Sequence, residues 1–147
     1  MWFYNNKEFT SEMVEDYVGF VYLVIFDNGK KYIGKKKFWS KVTRPPLKGK
    51  KRKRRSLKES DWKTYCGSSE TVKKLIEENG LDSVKREILH LCKGAGELSY
   101  MEMVEQVERK VLLRDDYYNG IIQCRINQAC VKRLKKEFLD NTRCGET

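Results

Sequence analysis

Two tyrosines, a lysine, a glutamate and an asparagine are the residues of this chain whose types and spacing could act together chemically. Tyr22 ends the run Gly19-Phe20-Val21-Tyr22, and Tyr32 opens the run Tyr32-Ile33-Gly34. Lys35, Lys36 and Lys37 follow at once, so positive side chains lie beside the tyrosines. Gly34 removes a side chain where a phosphate backbone could approach closely. Glu102 falls at the margin of the apolar stripe of a predicted helix, where a carboxylate can reach a cleft while its helix stays packed. Glu105 is its rival, nearer the middle of that stripe. Asn119 sits in an aromatic turn soon after the helix. Such a set, beside a segment that holds no Asp or Glu from Lys30 to Lys58, points to a protein that handles phosphate backbones.

The whole chain carries the same bias. Its 147 residues have a formal net charge of +10, which favours nucleic acid or another anionic surface as partner. That length suits one ordinary domain with a single core. The opening residues show no signal-peptide pattern, and no run approaches the ~20 apolar residues of a membrane span. The expectation is a soluble, intracellular protein with no membrane partner. Five cysteines (Cys66, Cys92, Cys124, Cys130 and Cys144) include no C-x-x-C pair, which argues against a disulfide framework and a zinc finger. His90 is the single histidine and reads as an ordinary strand residue. Acid–base chemistry must therefore rest on tyrosine, lysine, carboxylate or metal-bound water.

Positioning these groups falls to a few elements. Residues 18–26 read as a strand rich in β-branched and aromatic side chains, with a return strand from Lys31 to about Lys35. Asn28-Gly29 supplies the turn between them, because both accept positive φ. A simple two-residue loop would put Tyr22 and Tyr32 on opposite faces of the sheet. A three-residue loop with a bulge, such as Asn28-Gly29-Lys30, would put them on one face. Shared chemistry thus predicts the odd loop.

Residues 36–66 are the least regular stretch. Pro45-Pro46 blocks a helix, and residues 48–55 form a dense positive loop that Trp39, Trp62 and Tyr65 could anchor. Ser68-Ser69-Glu70 caps a helix that runs to about Asn79 and stops at Gly80. Residues 83–92 read as a third strand, and residues 97–113 as a longer helix. A basic helix from Gln128 leads to a frayed tail. The chain divides into an acidic-leaning leader (1–16), a central domain (17–127, with a basic insertion at 40–60) and a basic C-terminal helix and tail (128–147).

In this order the motifs resemble the GIY-YIG nuclease family, over about residues 17 to 125. The first motif corresponds to Gly19-Phe20-Val21-Tyr22, with one additional residue before the tyrosine, and Tyr32-Ile33-Gly34 matches the second in full. Lys35 matches the lysine that follows, and Tyr118-Asn119-Gly120 the terminal asparagine. The metal-binding glutamate is better matched by Tyr100-Met101-Glu102-Met103-Val104 than by Glu105. The nearest likeness is to small phage-encoded, Seg-like homing endonucleases, which places the protein in the cytoplasm of a bacterial or phage-infected cell. One element departs: the family's arginine after the second motif falls near Val42, flanked by Lys41 and Arg44. Arg44 offers the planar fork suited to phosphate, and Lys41 a point charge.

The resemblance implies an α+β fold, a three-stranded antiparallel sheet flanked by helices. It also implies phosphodiester hydrolysis in DNA with Mg2+ (or Mn2+) held by Glu102. Tyr22 or Tyr32 would orient or deprotonate the attacking water, the latter only if cations such as Lys35 lowered a pKa that is ordinarily about 10. Arg44 or Lys41 would offset charge on the phosphorane, and Asn119 would fix its neighbours. Around this site Gly34, Lys36, Lys37, Lys48, Lys50, Lys51, Arg52, Lys53, Arg54 and Arg55 are the expected DNA-backbone contacts. One such site nicks one strand, so a double-strand cut would call for a dimer or sequential events. The competing readings are a non-catalytic basic nucleic-acid-binding protein and a nuclease-derived fold with lost or weak catalysis.

Overall fold

The computed structural model describes residues 1–145, with side chains through residue 141. The end of the expected tail and the Cys144 side chain lie outside that description.

The tyrosine hairpin forms as its sequence demands. Strands β3 (Gly19–Ile25) and β4 (Lys31–Lys37) pair antiparallel, with Tyr22 opposite Gly34 and Val24 opposite Tyr32. Phe26 N–H donates to the Lys30 carbonyl and Gly29 N–H to the Phe26 carbonyl. The loop is therefore the odd, three-residue kind, made of Asp27-Asn28-Gly29, one position earlier than the example read from sequence. Gly29 takes φ +83°, the left-handed conformation that closes such a turn. Because directly paired residues share a face, Tyr22, Val24, Tyr32 and Gly34 all project from the same side.

The sheet has five strands, not three, and is mixed, not purely antiparallel. Its order is β2-β1-β7-β3-β4, with β1 spanning Trp2–Tyr4, β2 Lys7–Glu8 and β7 Lys85–Cys92. β7 pairs antiparallel with β3 and parallel with β1. The opening residues join the sheet because Trp2 has a core site to fill: it is 2% exposed and donates Nε1–H to the Trp62 carbonyl at 2.6 Å. Trp62 is buried beside it, whereas Trp39, at the root of the basic insertion, stays 41% exposed.

Helices cover both faces. Phe20, Tyr22 and Val24 pack with Trp2, Trp62 and Val72, the last from helix α1 (Glu70–Asn79). Val21, Leu23 and Ile33 pack on the opposite face against Leu98 of helix α2 (Ala95–Glu108). α2 is shorter than its apolar pattern suggests. Lys110 adopts φ +56° and Val111 N–H returns to the Gln106 carbonyl, so Val111 reaches the core from a turn. Beyond it residues 116–119 run along the outer edge of β4, where Tyr118 N–H bonds the Lys31 carbonyl. The C-terminal helix α3 (Lys132–Gly145) is tied back by Arg133, whose guanidinium pairs with the buried Glu97 carboxylate.

The basic insertion is not a loop. Residues Trp39–Arg44 (β5) and Arg54–Glu59 (β6) pair as an antiparallel two-stranded ribbon. It leaves the body at Phe38 and returns at Ser60, which bonds the Phe38 carbonyl. Among the described residues no helix is long and apolar enough to cross a membrane.

Candidate active site

A cavity of about 610 Å³ opens beside edge strand β4, and residues from both faces of the sheet line it. Tyr22 and Tyr32 arrive from the hairpin, Lys35 from the far end of β4, Glu102 and Gln106 from α2. Tyr65, Ser68 and Ser69 close it from the segment leading into α1. Asn119 closes the β4 edge.

The tyrosines form a cluster of three. Their rings lie 6.3 Å (Tyr22 to Tyr32) and 6.1 Å (Tyr22 to Tyr65) apart, and the Tyr32 hydroxyl is 3.4 Å from Ser68 Oγ. Burial raises the Tyr22 pKa well above its ordinary value, and the neighbouring Tyr65, Tyr32 and Glu102 add to the rise. Tyr32 and Tyr65 are raised too, again chiefly by burial. The lowering by Lys35 that a tyrosine base would need is thus not met; all three hydroxyls are suited to donate hydrogen bonds at neutral pH.

Gly34 serves the cluster. A Cβ there would collide with the Tyr22 hydroxyl and lie 2.6 Å from its Cζ. The missing side chain makes room for the Tyr22 phenol, and Gly34 itself lines the cavity.

The two candidate glutamates separate cleanly. Glu102 lines the cavity, and burial raises its pKa while Lys35 pulls the other way. Glu105 faces elsewhere: its carboxylate takes His90 Nε2 at 2.6 Å and Arg109 Nε at 2.9 Å. His90 is accordingly a partner of that carboxylate. Lys35 is held in place by a 2.7 Å hydrogen bond from Nζ to Ser99 Oγ. Lys36 instead bonds Asp61 at 2.7 Å and lies over the Tyr65 ring, 4.1 Å from its centre.

Asn119 is committed to the backbone. Its Oδ1 accepts from Ile33 N–H at 3.0 Å and its Nδ2 donates to the Ile33 carbonyl at 2.7 Å. It supplies to the open side of β4 what a further strand would.

Lys41 and Arg44 do not reach the cavity; both ride on the ribbon. The register puts them on opposite ribbon faces, and Lys41 lines a neighbouring groove that shares Lys35 with the cavity. Lys37 lines that groove as well. Lys48, Lys50, Lys51, Arg52 and Lys53 form the exposed ribbon tip, and Arg54 and Arg55 begin β6.

Among the lining residues that escaped the sequence reading are Tyr65, Ser68 and Gln106. The available signal was Tyr65-Cys66-Gly67-Ser68-Ser69 directly before α1. There Gly67 takes φ +145°, and a Cβ on it would press to 3.0 Å from the Tyr32 ring. Ser69 is the N-cap of α1 and lines the cavity, and its side chain makes no capping bond.

The hairpin thus presents two tyrosines toward a helix-borne carboxylate, and an asparagine seals its edge strand. A family model described as "Putative endonuclease segE, GIY-YIG domain" matches residues 2–122, and the chain belongs to this GIY-YIG endonuclease family. The match takes in the first two strands together with the tyrosine motifs. No curated protein and no solved structure matches the chain.

Proposed function

We propose that this protein is a divalent-metal-dependent endonuclease that hydrolyses phosphodiester bonds of DNA in the cavity beside β4. The observation that carries the proposal is convergence: Tyr22, Tyr32, Lys35 and Glu102, spread over 81 residues of sequence, open onto one cavity.

Glu102 suits a magnesium or manganese ion. Among the described residues no three His, Cys, Asp or Glu side chains come together to cage a metal. A lone carboxylate in a polar cavity fits a hard cation that keeps its waters and takes further oxygens from a substrate phosphate. When bound, the ion supplies Lewis-acid stabilisation of the scissile phosphate and its leaving oxygen.

The chain's own groups do the rest. Tyr22 and Tyr32 stay protonated and orient the attacking water and a phosphate oxygen as hydrogen-bond donors. Tyr65, against Tyr22, completes that set of donors. Lys35, fixed by Ser99, places a positive charge where the phosphorane gains negative charge. The positive end of the α1 dipole, at Ser69 on the cavity wall, adds to it in place of the family's arginine. Asn119 holds β4, and so Tyr32 and Lys35, in register. Lys41 and the ribbon-tip cations act on the DNA backbone, and Arg44 too meets the DNA away from the reacting atoms.

Purified protein incubated with supercoiled plasmid tests the proposal. Nicked circles are expected with Mg2+ or Mn2+ and none with a chelator. Plasmid left intact at every metal, or nicked equally under chelation, contradicts it.

A further inference from the structure

The ribbon holds almost all of the chain's net charge. From Trp39 to Glu59 there are ten lysines and arginines and one acidic residue, while the rest of the sequence has 21 basic residues against 20 acidic. The protein is thus a nearly neutral body with a cationic arm. That arm has a defined shape: six paired residues in each strand, about 20 Å of extended ribbon at ~3.3 Å per residue. All of its basic side chains are exposed.

We infer that the ribbon enters the major groove of B-form duplex DNA and selects where the nuclease acts. The inference rests on the reading of DNA as the substrate. A two-stranded ribbon fits a groove about 12 Å wide and is too broad for a minor groove of about 6 Å. The A-form groove of duplex RNA is too narrow to admit it. Register also gives the arm two different faces. Trp39, Lys41 and Leu57 share one, and they line the groove against Val18, Ala95 and Leu98 of the body. The other face carries Ser56, Lys58 and, directly opposite one another, Arg44 and Arg54. Arg54 donates Nε–H to the Pro45 carbonyl, which braces its guanidinium at the start of β6. Paired guanidiniums and hydroxyls are the side chains that read base edges, guanine above all. The tip lysines, by contrast, are placed to grip phosphate and set salt dependence.

Equilibrium binding of the full chain in metal-free buffer tests this without any cleavage. Two duplexes of one sequence serve as probes, one unmodified and one with a bulky glucosylated hydroxymethyl group at C5 of every cytosine, which fills the major groove. The expected result is binding weakened roughly tenfold or more by the modification. Netropsin, which occupies the minor groove, should leave binding unchanged. In the double variant Arg44→Ala, Arg54→Ala, two exposed positions, most of the difference between the duplexes should vanish. Equal affinity of the wild type for both duplexes, displacement by netropsin, or tighter binding to single strands or duplex RNA would overturn the inference. Binding as expected by a protein that never cuts would refute the nuclease reading alone.

Discussion

Removing the Asn119 side chain should loosen the site by a calculable amount without touching a reacting group. β4 is the outer strand of the sheet, so Ile33, fully buried, has no strand neighbour on that side for its N–H and carbonyl. Asn119 supplies both partners. In Asn119→Ala the Ile33 N–H is orphaned, and its carbonyl keeps only the long 3.4 Å bond from Gln106 Nε2. An unsatisfied buried donor costs about 1–3 kcal/mol and a weakened acceptor adds to it, giving about 2–4 kcal/mol in all. For a chain of this size that corresponds to a fall in Tm of roughly 5–15 °C. Asn119→Asp separates the two bonds: the acceptor for Ile33 N–H survives, but a negative charge now faces the carbonyl. Its penalty should be large at neutral pH and shrink on acidification, as the acid regains a donor proton. Thermal unfolding gives the shifts, and hydrogen exchange at the Ile33 amide locates them. A loss below about 2 °C in Asn119→Ala, with that amide still protected, would refute the reasoning.

Gly34→Ala should cost about 1–3 kcal/mol by overpacking against Tyr22 and should lower cleavage more than DNA binding, read by comparing nicking rates with Kd. Glu102 makes a prediction about pH. Burial raises its pKa, so the folded chain holds this proton more tightly than the unfolded one. Its drag on stability is absent below the ordinary carboxylate value and grows as pH rises through the raised one. Glu102→Gln should therefore raise Tm at neutral pH, give no gain in acid and abolish cleavage, a trade of stability for function. Lys35 opposes that rise, so Lys35→Met should move the acid limb of the pH–rate profile to higher pH. An unmoved limb would remove Lys35 from the surroundings of Glu102.

The parts of this molecule legible in its sequence are those set by short-range rules. Asn28-Gly29 announced a turn, and the demand that two tyrosines share a face selected its odd length. Ser69 and Gly80 marked the ends of α1 because residue preferences at helix ends are local, although the Ser69 side chain makes no capping bond. The parts that escaped depend on distant partners. Trp2–Tyr4 is too short to show an alternation and becomes a strand by pairing with β7, more than eighty residues away. Pro45-Pro46 and the run of like charges disguised the ribbon as a loop, although Pro45 and Pro46 lie in its turn, outside both strands. Lys41 and Arg44 stood at the right distance in sequence for the missing cation, but a protruding arm carries them off. Tyr65 had no recognisable spacing from Tyr22 or Tyr32. Its place follows from Arg86, a buried guanidinium that bonds the Lys63 and Tyr65 carbonyls and stacks 4.6 Å from the Trp2 ring. The choice of Glu102 over Glu105 turned on motif context, and the periodicity of the helix favoured the other residue.

That choice offers the most direct test of the central claim. Nicking of supercoiled plasmid in Mg2+ should be compared among the wild type, Glu102→Gln and Glu105→Gln, with DNA binding measured alongside. The account predicts a loss of at least ~100-fold in Glu102→Gln with binding retained, the scale expected for removing an electrostatic group from a reacting centre. Glu105→Gln should keep its rate, since that carboxylate serves His90 and Arg109. Undiminished nicking by Glu102→Gln, or a loss confined to Glu105→Gln, would contradict it.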